Sequence, residues 1–221
     1  MKVFVIGASR GLGHEFVAQY LADGAVVCAT ARSEADLAAL KRQGARALTL
    51  DVTRAESVAR LAWQLDGERF DTIVYCPGIY GPRSRGLEPP TEADFDAVMH
   101  TNVLGAMRVL PQLADMLSGE TRIAVISSRM GAIGPRSSNA GWLYRASKTA
   151  LNSVLKDLAT EWSGRAVCVS LHPGWVRTDM GGGGADLAVA DSVADMRRLI
   201  ASLTARDNGR FINHDGAAID W

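Results

Sequence analysis

The chain has 221 residues, with 24 Lys and Arg against 24 Asp and Glu. This length supports one substantial hydrophobic core and argues against a second domain, so residues 1–221 are expected to form a single domain. The balanced charge gives no argument for nucleic acid or an anionic membrane as a partner. A hydrophobic fraction of 48% with 22% charged residues is ordinary for a soluble globular protein.

Three cysteines, Cys28, Cys76 and Cys168, lie in separate apolar runs. Such cysteines are typical of buried thiols in a reducing compartment. The Cys and His spacings resemble no metal site, so no metal is expected. The apolar run before Gly7 is too short for a signal peptide or a membrane span. We therefore expect a cytoplasmic protein.

Short β-branched runs alternate with longer helical patterns along the whole chain. Strands are predicted near Val3–Ile6, Ala25–Thr30, Ala45–Leu50, Thr72–Tyr75, Arg122–Ser127, Ala166–His172 and Gly209–Ile212. Helices are predicted near Gly11–Ala22, Glu34–Arg42, Ala55–Leu65, Glu92–Leu117, Tyr144–Trp162 and Ser192–Leu203. Strands such as "VFVIG" are apolar on both faces, which favours a parallel sheet covered by helices on each side. The pattern predicts an α/β Rossmann-type doubly wound fold of about seven strands.

Two local signals refine the helix boundaries. Three helices begin with a capping pair, namely Ser33 with Asp36, Thr53 with Glu56, and Thr91 with Asp94. Pro111 should bend or interrupt the fourth helix, because proline lacks a backbone N–H and its ring clashes with the preceding turn.

The segment "GASRGLG" follows the first strand and opens the first helix. Its glycines permit a tight turn and a close approach of the backbone to a pyrophosphate. The helix N-terminus adds free N–H groups and a partial positive charge. We expect cofactor phosphates to be bound here by Gly7, Ser9, Arg10, Gly11, Leu12 and Gly13. Tight packing without a ligand is the alternative.

The second strand ends in "VVCATAR", without the carboxylate that would bind the adenosine 2′-OH of NAD. Arg10 and Arg32 can instead pair with a 2′-phosphate through charge-assisted hydrogen bonds. NADP(H) is therefore favoured over NAD(H). The alternative is that both arginines are solvated surface residues.

The segment "GWLYRASKTALN" places Tyr144 and Lys148 one helical turn apart. On a helical wheel Lys148 points with Leu151 and Leu155, whereas Asn152 falls on the opposite side, which is expected to be solvated. A lysine on an apolar face either extends to solvent or is held there for a reason. The tyrosine–lysine spacing alone is a weak signal.

Six motifs in order give the chain a specific resemblance. They are the glycine loop, Asp51-Val52, Asn102 in "TNVLG", Ser127-Ser128, "YRASK" and "HPGWVRT". Over essentially its whole length the chain resembles the short-chain dehydrogenase/reductase family, above all its sniffer-like and C-signal-like carbonyl reductase branch. The resemblance implies an NAD(P)-dependent enzyme that interconverts a small carbonyl compound and an alcohol by hydride transfer. It also implies a homodimer or homotetramer.

The resemblance assigns catalytic roles to Asn102, Ser128, Tyr144 and Lys148. Tyr144 would exchange a proton with the substrate oxygen, and the nearby ammonium of Lys148 would stabilise its phenolate. Ser128 matches the serine that binds the substrate carbonyl, with Ser127 as the adjacent alternative. Asn102 matches the asparagine of a proton relay, and Lys148 would also bind the nicotinamide ribose.

Further cofactor contacts are implied at Asp51 and Val52 around the adenine, at Gly78, and at Pro173, Gly174, Val176 and Thr178 around the nicotinamide. The family commonly has Asn-Asn-Ala-Gly where this chain has "YCPG". Tyr75 in that motif raises a question of local stability. Cys76 is either a buried inert thiol or a redox-sensitive one.

The substrate end is less determined. Tyr80, Met130, Trp142 and Trp175 form an apolar wall for a carbonyl substrate, or only pack in the core. The glycine run 181–184 is an open lid or a flexible connector. Ser147, Ala150 and Val154 offer a weak edge for self-association. The alternative functions are a non-catalytic NAD(P)-binding sensor or signalling protein, and an epimerase or dehydratase of related chemistry.

Overall fold

Seven parallel strands form one sheet in a computed structural model that describes residues 1–83 and 86–221. In chain order they are β1 (Lys2–Ile6), β2 (Val26–Ala31), β3 (Arg46–Thr49), β4 (Thr72–Tyr75), β5 (Thr121–Ile126), β6 (Ala166–His172) and β7 (Arg210–Asn213). Their order across the sheet is β3-β2-β1-β4-β5-β6-β7. The predicted strands are therefore confirmed, each to within about one residue at its ends.

Helices cover both faces of the sheet. In the described residues they are α1 (Gly11–Ala22), α2 (Glu34–Arg42), α3 (Ala55–Ala59), α4 (Leu61–Gln64), α5 (Glu92–Met99), α6 (Gly105–Val109), α7 (Trp142–Glu161) and α8 (Val189–Ser202). Within the same described segments, every helix is too short or too polar to cross a membrane. The doubly wound α/β prediction is confirmed.

Successive side chains of β1 point to opposite faces of the sheet and pack in two separate hydrophobic cores. Phe4 belongs to a buried cluster that contains Leu151 of α7. Val3, on the other face of the same strand, belongs to a cluster that contains Phe16 of α1. All four side chains have no exposed surface, and burial of such a side chain contributes roughly 1.5–3 kcal/mol. The sheet is thus a rigid layer between two helical layers.

The helix predicted over Glu92–Leu117 is broken into four pieces. A π-helical turn at His100–Leu104 follows α5, and a 3₁₀ turn at Leu110–Met116 follows α6. Pro111 lies at the start of the 3₁₀ turn, as expected for a residue that cannot donate to the preceding turn. The π-helical turn was not predicted. It contains Asn102, and such turns often occur at functional sites.

One capping prediction is wrong. Ser33 and Thr91 accept backbone N–H bonds at the starts of α2 and α5, as predicted. Thr53 does not cap the third helix, which begins after Arg54. Its hydroxyl and its N–H both donate to Asp51 Oδ1, at 2.7 Å and 3.0 Å, so Thr53 belongs to a turn closed by the aspartate and the helix begins later.

The predicted solvated face of the Tyr144 helix also needs correction. Asn152 is buried, and its Oδ1 accepts hydrogen bonds from Ser127 Oγ at 2.6 Å and Ser170 Oγ at 3.0 Å. Polar serines at and after the strands beneath α7 provide a buried polar pocket. A helical wheel cannot reveal this, because the partners come from distant segments. Lys148 is buried, as its position among the leucines suggested.

The strand order places the site. The chain leaves β1 toward β2 on one side, and β4 lies on the other side of β1. In open parallel sheets, ligands bind at such a reversal, in the crevice beyond the carboxyl ends of the strands. The glycine loop after β1 and the "YCPG" segment after β4 therefore face the same crevice.

Candidate active site

A cavity with a volume of about 1010 Å³ lies at the carboxyl ends of the strands. Its lining includes segments that follow each of β1 to β6. Because β3 and β6 lie on opposite sides of β1, Asp51 and His172 mark opposite ends of this cavity. All the site residues predicted from the sequence line it, with the exception of Asn102.

The glycine loop is folded tightly over the start of α1. Gly7 has φ +80° and Gly11 has φ +55°, which are left-handed conformations that favour glycine. A Cβ on Gly13 would lie well inside van der Waals contact with the carbonyl oxygen of Gly7. The Gly7 N–H donates to Thr30 Oγ1 at 3.0 Å, which ties the loop to β2. The glycines therefore let the loop fold tightly against itself and β2 at the start of α1.

Charged groups follow β1, β2 and β3 around one end of the cavity. Arg10 forms an exposed ion pair with Asp179 at 3.2 Å, and Arg32 is exposed on the cavity wall. Burial raises the pKa of the Asp51 carboxyl, but hydrogen bonds from Thr53 and the nearby Arg32 guanidinium bring it below its usual value. This end can therefore hold an anionic group next to a hydrogen-bond acceptor.

Two glycines mark close approaches at the cavity wall. A Cβ on Gly105 would lie 2.9 Å from Val52 Cγ2, so Val52 packs directly on the backbone of α6. A Cβ on Gly78 would lie 3.2 Å from Lys148 Nζ and 3.5 Å from Asn102 Oδ1. Gly78 thus leaves the space in which the lysine and asparagine side chains meet. A larger residue would displace one of them.

Asn102 has no exposed surface and holds two segments together. Its Oδ1 accepts the Ile79 N–H at 2.8 Å, and its Nδ2 donates to the Ile79 carbonyl at 2.9 Å. The same Nδ2 donates to Ser147 Oγ at 2.9 Å. The side chain therefore fastens the loop after β4 to α7, one turn from Tyr144.

Lys148 is buried with its charge directed at the end of β5. Its Nζ donates to the Ile126 carbonyl at 3.0 Å and lies 5.7 Å from the centroid of the Tyr144 ring. Burial lowers the pKa of Lys148 to about 8, although the neighbouring Cys76 opposes this. Burial also raises the pKa of the Cys76 thiol to about 12. The neutral thiol is the less reactive form of cysteine.

Burial raises the pKa of Tyr144 to about 12, while a hydrogen bond with the Ser128 side chain opposes the rise. The sequence suggested a lowered pKa for Tyr144. The pKa is raised instead, because desolvation of the phenolate outweighs the stabilising contact with Ser128. Ser128 Oγ also accepts the Met130 N–H at 3.2 Å. The Tyr144 hydroxyl therefore carries its proton at neutral pH, beside a fixed serine hydroxyl.

The "HPGWVRT" segment crosses the cavity after β6. Gly174 has φ +84°, and a Cβ there would lie 3.0 Å from His214 Cδ2. Thr178 Oγ1 accepts the Gly181 N–H at 3.1 Å, and Val176 is buried. The segment ends in a hydrogen-bonded turn. The first glycine of the 181–184 run is thus part of a folded structure.

Sequence patterns gave little or no indication of three residues around Tyr144. Tyr80 stacks on Tyr144 with 4.7 Å between ring centroids, and Met180 Sδ lies 3.8 Å from the Tyr144 hydroxyl. Arg83 donates to the Met180 carbonyl at 3.2 Å. Met180 could not be predicted, because the glycine-rich segment "DMGGGG" shows neither a helix nor a strand pattern. The cavity position of Arg83 depends on loop geometry that no sequence pattern encodes.

The predicted apolar wall is present in part. Tyr80, Met130 and Trp175 line the cavity, but Trp142 does not, and its Nε1 donates to the Glu88 carbonyl at 3.1 Å. Trp142 lies at the start of α7, where it points away from the cavity lining.

The suggested self-association edge fails at Ser147. This serine has no exposed surface, because Tyr144 and Asn102 hold its hydroxyl inside the chain.

The profile of the short chain dehydrogenase family matches residues 1–185. The chain belongs to this family. It is an NAD(P)-dependent oxidoreductase with a Rossmann-type fold, as the resemblance implied.

Similar proteins agree with the branch suggested by the motifs. The C-signal of Myxococcus xanthus is 37% identical over 132 residues, covering 58% of this chain and 80% of that protein. A short-chain dehydrogenase/reductase from Burkholderia multivorans with bound NADP superposes with a TM-score of 0.91 at 32% identity, covering 100% and 99% of the two chains. The carbonyl reductase Sniffer of D. melanogaster superposes with a TM-score of 0.88 at 28% identity, covering 100% and 99%. The family and branch predictions are confirmed.

Proposed function

We propose that this dehydrogenase uses NADP(H) to interconvert a small carbonyl compound and an alcohol, with Tyr144 as the proton donor and acceptor. The observation that carries the proposal is one shared cavity. Ser128, Tyr144 and Lys148 line the same cavity as the glycine loop that follows β1. The reacting groups and the dinucleotide site are therefore adjacent.

The cavity fits a dinucleotide. The loop from Gly7 to Gly13 lines the cavity, and α1 begins there without a side-chain cap, so the first N–H groups of the helix are free to bind phosphates. We assign the phosphates to Gly7, Ser9, Gly11, Leu12 and Gly13, the adenine to Asp51 and Val52, and the nicotinamide side to Gly78, Pro173, Gly174, Val176 and Thr178. When bound, NADPH supplies the hydride that attacks the carbonyl carbon.

Tyr144 is suited to donate a proton to the carbonyl oxygen. Its raised pKa, about 12, keeps the hydroxyl protonated at neutral pH, which is the form that carbonyl reduction needs. Ser128 lines the same cavity, opposes the rise in the pKa of Tyr144, and is assigned to donate to the substrate oxygen as negative charge develops. Removal of a proton-transfer group of this kind typically costs about 10²–10⁴-fold in rate.

Lys148 and Asn102 are the other two of the four residues that were assigned catalytic roles. Below about pH 8 the Lys148 ammonium is charged, and its position beside Gly78 suits a ribose hydroxyl. Its charge also stabilises the phenolate left after Tyr144 donates its proton. Asn102 acts through its neighbours: it holds Ile79 and Ser147 in place, and so positions both sides of the lysine.

The preference for NADP(H) rests on Arg10 and Arg32. Both line the cavity, and the described end of β2 offers no carboxylate for a 2′-OH. The Arg10–Asp179 pair is exposed on both sides, so it is worth about 0–1 kcal/mol. A 2′-phosphate, with its two charges and bidentate geometry, competes successfully for Arg10.

The test is a panel of aldehydes, ketones and alcohols assayed with NADPH and NADH in parallel, on the wild type and on Tyr144→Phe. We expect NADPH-dependent turnover that falls by about 10²–10⁴-fold in the variant. Titration of NADPH by fluorescence should give similar affinity for both proteins. Equal turnover in Tyr144→Phe would remove the catalytic role, and a preference for NADH would remove the role of the arginines.

We also propose a single domain over residues 1–221 and a homo-oligomer. All seven strands belong to one sheet, which supports the single domain. Phe95 of α5 and Met107 of α6 are half-exposed on the helices expected to meet a second copy. Light scattering at micromolar concentration tests the oligomer, and a monomer mass would exclude it.

A further inference from the structure

The cavity is far more basic than the chain as a whole. Eight Lys or Arg residues and two Asp residues line it. The basic residues are Arg10, Arg32, Arg83, Arg129, Arg136, Arg145, Lys148 and Arg177, and the acidic residues are Asp51 and Asp179. The complete chain has 24 basic and 24 acidic residues. Positive charge is therefore concentrated in this one cavity, where low-dielectric walls strengthen its field.

Apart from Arg177, which lies between the nicotinamide residues Val176 and Thr178, four of these arginines lie outside the proposed cofactor contacts. Arg83 follows β4, Arg129 and Arg136 follow β5, and Arg145 follows Tyr144 in α7. Both acidic residues are elsewhere engaged, since Asp51 is bonded by Thr53 and Asp179 is paired with Arg10. Over residues 1–83 and 86–221, no ion pair joins any of the four arginines to a carboxylate.

Two of the four, Arg83 and Arg145, are separated from Tyr144 by one aromatic ring and by one peptide bond, respectively. The Arg83 guanidinium lies 5.4 Å from the centroid of the Tyr80 ring, and Tyr80 stacks on Tyr144. Arg83 also donates to the Met180 carbonyl, and Arg145 Nε donates to the Ala140 carbonyl at 2.9 Å. A guanidinium has five N–H donors, so these contacts fix the group and leave most of its donors for a ligand.

We propose that the carbonyl substrate carries an anionic group, a carboxylate or a phosphate, which Arg83 and Arg145 bind while the carbonyl reaches Tyr144 and Ser128. Unneutralised arginines repel one another, and a bound anion relieves this repulsion. The planar guanidinium also matches carboxylate and phosphate oxygens in a bidentate arrangement. Arg129 and Arg136 add to the field that attracts the anion. This inference rests on the proposed function, whose substrate class it narrows.

The first experiment compares three probes that share one ring and one aldehyde. They are 4-carboxybenzaldehyde, its methyl ester and 4-formylphenyl phosphate, each assayed with NADPH. We expect kcat/KM for the better anion to exceed that of the ester by about tenfold or more, with a gap that narrows in high salt. The ratio of the two anions distinguishes carboxylate from phosphate. An ester that is reduced as well as both anions would overturn the proposal.

Matched variants locate the binding groups. Arg83→Gln and Arg145→Gln should each lose about tenfold in kcat/KM on the preferred anion and less than about twofold on the ester. Arg60→Gln removes the same charge from an exposed position outside the cavity lining and should change neither value. Equal losses on anion and ester would indicate a merely structural role for these arginines and would overturn the proposal.

A binding measurement separates this inference from the proposed function. Calorimetry on the Tyr144→Phe variant with NADP⁺ present measures the affinity for each probe without turnover. Anion binding about tenfold tighter than ester binding, lost in Arg83→Gln, supports the anion site even if no Tyr144-dependent reduction is found. Equal affinity for anion and ester would overturn the anion site. If the wild type still reduces the aldehydes with NADPH, the proposed function would remain supported in that case.

Discussion

Met180 Sδ lies 3.8 Å from the Tyr144 hydroxyl, at the place where a substrate oxygen must approach. The turn that carries Met180 is anchored on both sides. Arg83 donates to the Met180 carbonyl, and Trp175 Nε1 donates to the Gly181 carbonyl at 2.9 Å. The glycine run therefore begins with an ordered cover over the candidate active site.

The first prediction concerns Gly181. A Cβ there would lie well inside van der Waals contact with the Val176 carbonyl oxygen, so the backbone of the cover must shift. We expect Gly181→Ala to lower kcat/KM for carbonyl reduction by about tenfold, because displacement of about 1 Å near reacting groups has effects of that order or more. Steady-state kinetics with NADPH measures the loss.

Gly183→Ala is the matched control for this change. A Cβ on Gly183 meets no atom within 4 Å in the described structure, so the same substitution two residues later should leave kcat/KM within about twofold. Equal activity of the two alanine variants would show that the cover does not constrain the site.

The second prediction concerns the Arg10–Asp179 pair. Asp179→Asn removes the carboxylate that engages Arg10 at 3.2 Å, and frees this arginine for a 2′-phosphate. We expect the Kd for NADPH to fall by about twofold to fivefold, in line with an exposed ion pair of under 1 kcal/mol. The Kd for NADH, which has no 2′-phosphate, should change by less. Fluorescence titration measures both.

Asp186→Asn controls for the lost charge. Asp186 is exposed in the same loop, outside the cavity lining. A similar gain in NADPH affinity in this variant would point to a long-range charge effect in place of a contact with Arg10.

Much of this site was predictable because its residues lie in recognisable local patterns. Gly7 to Gly13 form a continuous loop, and Tyr144 and Lys148 share one helix. The environment of each group was not predictable. Tyr144 shows this, since the sequence suggested a pKa lowered by Lys148, whereas burial raises it. Burial depends on what distant segments place around a residue, and spacing alone carries no such information.

Asn152 and Met180 illustrate the same limit in the fold. The helical period correctly placed Lys148 among buried residues, but it assigned Asn152 to solvent. Serines near the ends of β5 and β6 surround that asparagine. Met180 contacts Tyr144 only because the folded chain brings together two residues that are 36 positions apart in the sequence. Long-range contacts of this kind require the assembled sheet.

The third prediction concerns His172. Burial, together with the neighbouring Arg129 and His214, lowers its pKa to about 4, and Asp215 opposes this shift. Between pH 6.5 and 4 the unfolded chain binds a proton that the folded chain does not, so the free energy of unfolding falls as the pH falls. The full loss is at most about 3 kcal/mol, reached below about pH 4.

His172→Asn should remove this part of the acid sensitivity. Urea unfolding of wild type and variant at pH 7, 5.5 and 4.5 measures the slope of unfolding free energy with pH. His100→Asn, at an exposed histidine, should keep the wild-type slope. A wild-type slope in the His172 variant would contradict the assignment.

The fourth prediction concerns Tyr75, which replaces the asparagine common in the family. Tyr75 is fully buried, and its hydroxyl has no hydrogen-bond partner among the described residues. An unsatisfied buried hydroxyl costs about 1–3 kcal/mol, so Tyr75→Phe should raise the free energy of unfolding by about 1 kcal/mol in urea denaturation. Tyr20 is also buried, but its hydroxyl is not among the buried polar groups that lack a partner in the described residues, so Tyr20→Phe should bring no such gain. Destabilisation by Tyr75→Phe would mean that its hydroxyl is satisfied in solution.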